Sequence, residues 1–130
     1  MTVPDEILAL IAAAVPGVTV FDGRVGPTPD DRYVVVYPDP GTVKALAVCG
    51  QSDSATFRWQ VTSVGPDRER AAWLAVAVRD ATVDVRPVVA GWACGLVCHS
   101  YAQLPQHDEA VAERPVVYQV DLYDLLAART

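Results

Sequence analysis

The sequence predicts an α+β domain: a mixed, mainly antiparallel sheet with a short N-terminal helix and one longer helix packed on it. Three observations carry this. Residues 56–64 alternate, with Phe57, Trp59 and Val61 on one side and Arg58, Gln60 and Thr62 on the other, the period of a half-buried strand. Residues 67–83 then repeat apolar side chains at Ala71, Leu74, Ala75, Val78 and Ala81, a helical stripe. The remaining strand-like segments follow one another through short turns, which favours local antiparallel pairing over a doubly wound parallel sheet. A chain of 130 residues is expected to fold as a single domain, 1–130, around one core.

The elements read in order as αββββαββ. Residues 4–15 form a first helix, capped by Thr2 or Val3, with Pro4 in its first turn and Ile7, Leu8, Ile11 and Val15 on one face. Pro16-Gly17 ends it, residues 18–24 form a strand, and GPTPDD at 26–31 is a loop. RYVVVY at 32–37 is apolar on both faces and reads as a central strand. PDPG at 38–41 reads as a tight turn, residues 43–49 as a third strand and 50–55 as a connection into the 56–64 strand. The last three strands are expected to form an antiparallel meander.

Gly65-Pro66 ends the fourth strand, and Asp67 and Glu69 place negative charge at the positive end of the helix dipole. After a connection at 87–91, residues 92–101 read as a strand and 102–114 as a polar segment. PVVYQVDLY at 115–123 reads as the last strand, and 124–130 as a further turn of helix. Trp59, Val61, Leu74 and Val78 are the expected centre of the core.

Composition excludes several function classes. The net charge is −6 and the pI about 4.6, so a basic nucleic-acid footprint is absent. One lysine against nine arginines, no asparagine and two isoleucines suit a GC-rich coding sequence. The longest apolar run, 7–15, falls short of the roughly 18 residues a spanning helix needs. It follows Asp5 and Glu6 rather than a basic region, unlike a signal peptide, so a cytoplasmic site of synthesis and three free thiols (Cys49, Cys94, Cys98) are expected.

The candidate chemistry is sparse. Cys94, Cys98 and His99 in WACGLVCHSY have ligand types that suit zinc. On a continuous strand, however, Cys94 and Cys98 would share a face with Trp92 and Leu96, and His99 would point the other way. No second ligand pair follows, so the cysteines read as small buried hydrophobes, with Cys49 as the one residue that could join them. His107 reads as a solvated surface histidine. Asp30-Asp31, Asp108-Glu109 and Asp121/Asp124 lack an apolar frame, and Asp121 is expected on the polar side of its strand. The Gly-containing turns lack the lysine and spacing of a phosphate loop. Trp59, Trp73 and Trp92 read as core or interface, since no basic groove accompanies them. No catalytic, cofactor-binding or metal residues are assigned, and no cofactor is expected.

The strand ending VTSVG, the DRER helix start and AAWLAVAVRDA together resemble the tail terminator (tail completion) proteins of long-tailed, non-contractile bacteriophages. The opening helix, the YVVVYP strand and the closing PVVYQVDLYDLLA are similar to the same proteins, so the resemblance spans most of the chain. It implies a non-enzymatic virion protein, assembled in the host cytoplasm and located at the tail or neck. Its copies would form a hexameric ring that caps the tail tube, stops polymerisation and offers a surface to the head-tail connector protein. The implied partners are copies of itself, the tail tube protein and the connector. DNA would pass through without sequence-specific binding, and no membrane is involved. The acidic charge suggests that loops at 50–55 or 102–113 line the hole or its rim. Two other readings remain open at this point: another head–tail connector or neck protein, and a small α+β enzyme or ligand-binding domain using Cys94, Cys98 and His99.

Overall fold

The computed structural model describes residues 2–27, 29–39, 41–43, 54–109 and 114–130, with nothing said of the side chains of 42 and 43. Among these residues the chain forms two helices and one eight-stranded mixed sheet, mostly antiparallel, an α+β fold as the sequence predicts.

Helix α1 (Val3–Ala14) begins with a reciprocal cap. Asp5 N–H donates to Thr2 Oγ1 at 3.3 Å and Thr2 N–H to Asp5 Oδ2 at 2.9 Å, which satisfies two of the orphan donors of the first turn. Its apolar face buries Val3, Ile7, Ile11 and, just beyond the helix, Val15. Strand β1 (Thr19–Asp22) pairs parallel with β2 (Tyr33–Pro38), the one parallel pairing in the sheet, at its edge.

The expected PDPG turn does not reverse the chain, and the meander is absent. Both β2 and the short β3 (Thr42–Val43) lie antiparallel to the same long strand, β4 (Ser54–Gly65). The junction between β2 and β3 lies beside Arg58 of β4. Asp39 organises it: Asp39 N–H donates to Arg58 O at 2.9 Å, while Asp39 Oδ1 accepts from Gly41 N–H (2.9 Å) and Arg58 N–H (3.2 Å). A carboxylate therefore replaces the missing ladder carbonyl. The expected strand at 43–49 lies outside the described residues beyond Val43, and the expected connection at 50–55 is described only where Ser54 and Ala55 already belong to β4.

Gly65 turns the chain into helix α2 (Arg68–Thr82). A Cβ on Gly65 would come within 2.8 Å of the Ala71 backbone nitrogen, so only glycine allows the strand and helix to meet this closely. Asp67 is the cap, accepting from Arg70 N–H at 2.8 Å, and its bond to Arg70 holds its carboxyl below the usual carboxylate range. Pro66 thus immediately precedes the cap. The buried stripe of α2 is Ala71, Leu74, Ala75, Val78 and Thr82, with Thr82 in place of the expected Ala81.

The central pairing joins β4 to β8 (Val117–Arg129) over twelve antiparallel positions, from Gly65↔Val117 to Ser54↔Ala128. The expected C-terminal helical turn is absent because residues 124–129 continue the strand, with Leu125 and Ala127 buried. On the far side of β8 lie three short strands: β5 (Trp92–Cys94), β6 (Cys98–Ala102) and β7 (Gln106–His107). The single strand expected at 92–101 is broken because Val97 turns to another segment. Gly95 N–H reaches Leu126 O, and Val97 exchanges bonds with the chain leaving α2, through Asp84 N–H to Val97 O and Val97 N–H to Val85 O. Both helices share one core with the sheet, in which Trp59, Val61, Leu74 and Val78 take the expected places.

Candidate functional site

Three features with chemical potential emerge: a buried polar cluster, the two described cysteines, and two exposed aromatic surfaces. The cluster is centred on Asp121, which is fully buried. The alternation of β8 puts Val117, Gln119, Asp121, Tyr123, Leu125 and Ala127 on the core side, the reverse of the expected orientation for Asp121. Arg79 Nη2 on α2 donates to Asp121 Oδ1 at 3.0 Å, His99 Nε2 on β6 lies 2.8 Å from the same oxygen, and Gln119 Nε2 lies 3.5 Å from Oδ2. Burial pulls the Arg79 guanidinium down, but the hydrogen bond and charge of Asp121 outweigh it and hold Arg79 above its ordinary value.

An aromatic row runs beside the carboxylate along one register line, Trp59↔Tyr123↔His99. Trp59 and Tyr123 are stacked with ring centroids 5.8 Å apart, and His99 meets Tyr123 edge-on at 5.1 Å. Burial, then the charge of Asp121, push the Tyr123 hydroxyl strongly upward. That hydroxyl approaches Arg79 and Thr82 without a well-formed hydrogen bond to either.

This cluster lacks a nucleophile aimed at its histidine. Ser100 Oγ donates to Leu122 O at 3.1 Å, and Cys98 Sγ contacts Leu96 O at 3.6 Å. A nucleophile–base pair needs a hydroxyl or thiol within hydrogen-bond reach of the imidazole, and neither neighbour supplies one. Through Arg79 and His99, Asp121 ties the last turn of α2 and strand β6 to β8.

The break at 95–97 also redistributes the cysteines. Cys94 is buried on the core side and its thiol is pushed up by that burial, whereas Cys98 is exposed and His99 turns inward. The shared face expected for Cys94 and Cys98 is therefore not formed. Among the described residues no three His, Cys, Asp or Glu side chains gather as metal ligands, and Cys49 lies outside them. His107 is exposed on β7, and Asp124 sits on the opposite sheet face from Asp121.

Two exposed surfaces complete the inventory. On the sheet face away from the helices, Tyr37, Gln60, Leu122 and Tyr101 align across four strands, with Tyr37 43 % and Leu122 37 % exposed. Tyr37, Gln60 and Leu122 border a groove of about 440 Å³ that also takes in Asp39, Arg58 and Asp124. On α2, Trp73 is 60 % exposed and Val76 45 %. A hollow of about 390 Å³ beside Trp73 is lined by Arg32, Glu69 and Arg70. Trp73 is exposed because it lies opposite the buried stripe of α2.

No protein-family model matches the chain, and no curated protein matches it. Solved structures do. A chain in the virion of a native gene transfer agent particle matches 97 % of this chain and 94 % of its own length, with a TM-score of 0.70 and 17 % identity. A second solved chain matches 93 % of this one and 88 % of its own, with a TM-score of 0.54 and 19 % identity. At these identities the likeness is one of fold.

Proposed function

We propose that this protein is a structural virion subunit of the tail-terminator kind: copies form a ring that caps the tail tube, stops its polymerisation and presents the head-joining surface. The observation that carries the reading is the near-complete fold match to a chain of a gene transfer agent virion. The sequence resemblance points the same way, toward assembly.

In this reading the 130 residues act as one subunit, its partners are the tube protein, the head-tail connector and further copies, and DNA passes through without base recognition. The net charge of −6 suits a conduit that must not hold DNA. Among the described residues no helix is long and apolar enough to cross a membrane.

Native mass spectrometry and negative-stain imaging test this, alone and with tail tubes. The expected result is a six-membered ring, free or seated at the tube end, and tubes that cease to lengthen when the protein is added. Binding to a connector ring but not to tubes would move the assignment to another neck protein. A monomer that binds neither would refute it.

A further inference from the structure

Of the two strands in the central pairing, β4 declares its faces and β8 does not. On β4, Phe57, Trp59 and Val61 face the helices while Arg58, Gln60 and Thr62 face away. On β8 the inward residues include an amide and a carboxylate, Gln119 and Asp121. The outward residues, Val120, Leu122 and Leu126 among them, include one carboxylate, Asp124. By apolar content alone the outward face is the better one to bury, and a slip of one residue in the pairing would bury it.

We infer that the buried Asp121–Arg79 ion pair is a register key: it selects the native β4–β8 alignment against slipped alignments whose apolar content is no lower. The inference concerns a single chain and stands apart from the ring reading.

Arg79 reaches the rung Val61↔Asp121 and meets the carboxylate at 3.0 Å. A slip of one residue puts Val120 or Leu122 opposite Val61, and a slip of two puts Gln119 or Tyr123 there. None of the four is an anion, so each of these alignments strands the guanidinium, whose Nε is buried. Asp124, the other acid on β8, comes opposite Val61 only after a slip of three. Leaving a buried cation without its partner is disfavoured far more than exchanging one aliphatic side chain for another, and setting register is a well-attested use of buried polar groups. The Trp59–Tyr123 stack favours the same rung but selects less sharply, since Leu122 stands opposite Trp59 in one of the slips.

Disulfide trapping tests this in a background with Cys49→Ser, Cys94→Ala and Cys98→Ser. Thr62 and Val120 are opposite each other on the outer sheet face, so Thr62→Cys/Val120→Cys should cross-link on mild oxidation. Thr62 and Gln119 face opposite ways and meet only if β8 slips by one residue; Val64 and Gln119 report the slip in the other direction. With Arg79 and Asp121 in place, Thr62→Cys/Gln119→Cys and Val64→Cys/Gln119→Cys should stay reduced.

Arg79→Met/Asp121→Leu removes both charges and should remain folded by circular dichroism. In that variant one or both slip reporters should cross-link roughly tenfold more, the change that losing about 1.4 kcal/mol of discrimination gives. Arg79→Gln/Asp121→Asn repeats the measurement with both shapes nearly kept. Charge-free variants that fold and cross-link only between positions 62 and 120 would overturn the inference. Failure of both charge-free variants to fold would also overturn it, because the pair would then serve stability rather than register.

Discussion

Asp121→Ala is the sharpest probe of how this fold is held together. The carboxylate is fully buried and receives Arg79, His99 and Gln119 at 3.0, 2.8 and 3.5 Å. Removing one partner of a buried ion pair costs about 3–5 kcal/mol when the surviving charge stays buried. Here the Arg79 side chain is 34 % exposed and His99 20 %, so water partly rescues both, and the expectation falls to about 2–3 kcal/mol. For a chain of this length that corresponds to a fall in Tm of roughly 6–15 °C. Asp121→Asn keeps the volume and one acceptor, and should cost about 1–2 kcal/mol. The double variant Arg79→Met/Asp121→Leu removes both charges and should recover most of the loss. Urea titration with the slope held constant gives these differences. A loss below about 1 kcal/mol for Asp121→Ala, or no recovery in the double variant, would refute the account of Asp121 as a strut whose cost lies in the stranded Arg79 guanidinium.

Other perturbations follow from the same structure. Gly41 has φ +98, and an added Cβ would lie 2.6 Å from Phe57 Cε1, so Gly41→Ala should destabilise by about 2–4 kcal/mol in thermal or urea unfolding. Tyr123 is protonated in the fold well above its ordinary value, so its contribution is complete below pH ~10 and is lost as pH rises further; ultraviolet titration should show this phenol ionising last, with alkaline unfolding. Because its hydroxyl makes no hydrogen bond, Tyr123→Phe should leave stability unchanged within about 1 kcal/mol or raise it, and remove that late-titrating phenol. In a Cys49→Ser background, a thiol reagent should modify exposed Cys98 quickly and buried Cys94 only on unfolding, whereas one zinc bound per chain would revive the metal-site reading.

Much of the first half of the sheet and both helices could be read from the residues because their signals are local. The alternation at Phe57, Trp59 and Val61, the acidic helix start at Asp67 and Glu69 and the Leu74–Val78 stripe each need only a few neighbours in sequence. The errors lie where distant partners decide. DLLAA favours a helix by propensity, yet pairing with β4 holds Asp124, Leu125 and Leu126 extended. The 92–101 strand breaks because Val97 bonds to Asp84 and Val85, in the segment that follows α2. Asp121 misled for a related reason: β8 is apolar on both parities, with Tyr123 and Leu125 on one and Val120 and Leu122 on the other. Period alone could not say which face is core, and the partners that make a buried carboxylate tolerable lie 42 and 22 residues away.

The β4–β8 ladder also bears on how the chain reaches this structure. Its paired residues are separated in sequence by 52 positions at the Gly65↔Val117 end and by 74 at the Ser54↔Ala128 end. No local turn nucleates it, so most of the loop-closure entropy is spent before the first rung forms. Before β8 pairs, β4 has only β2 and β3 beside it. Folding should therefore be governed by a long-range search on the millisecond-to-second scale, during which the β8 edge of β4 is open to strands from other copies.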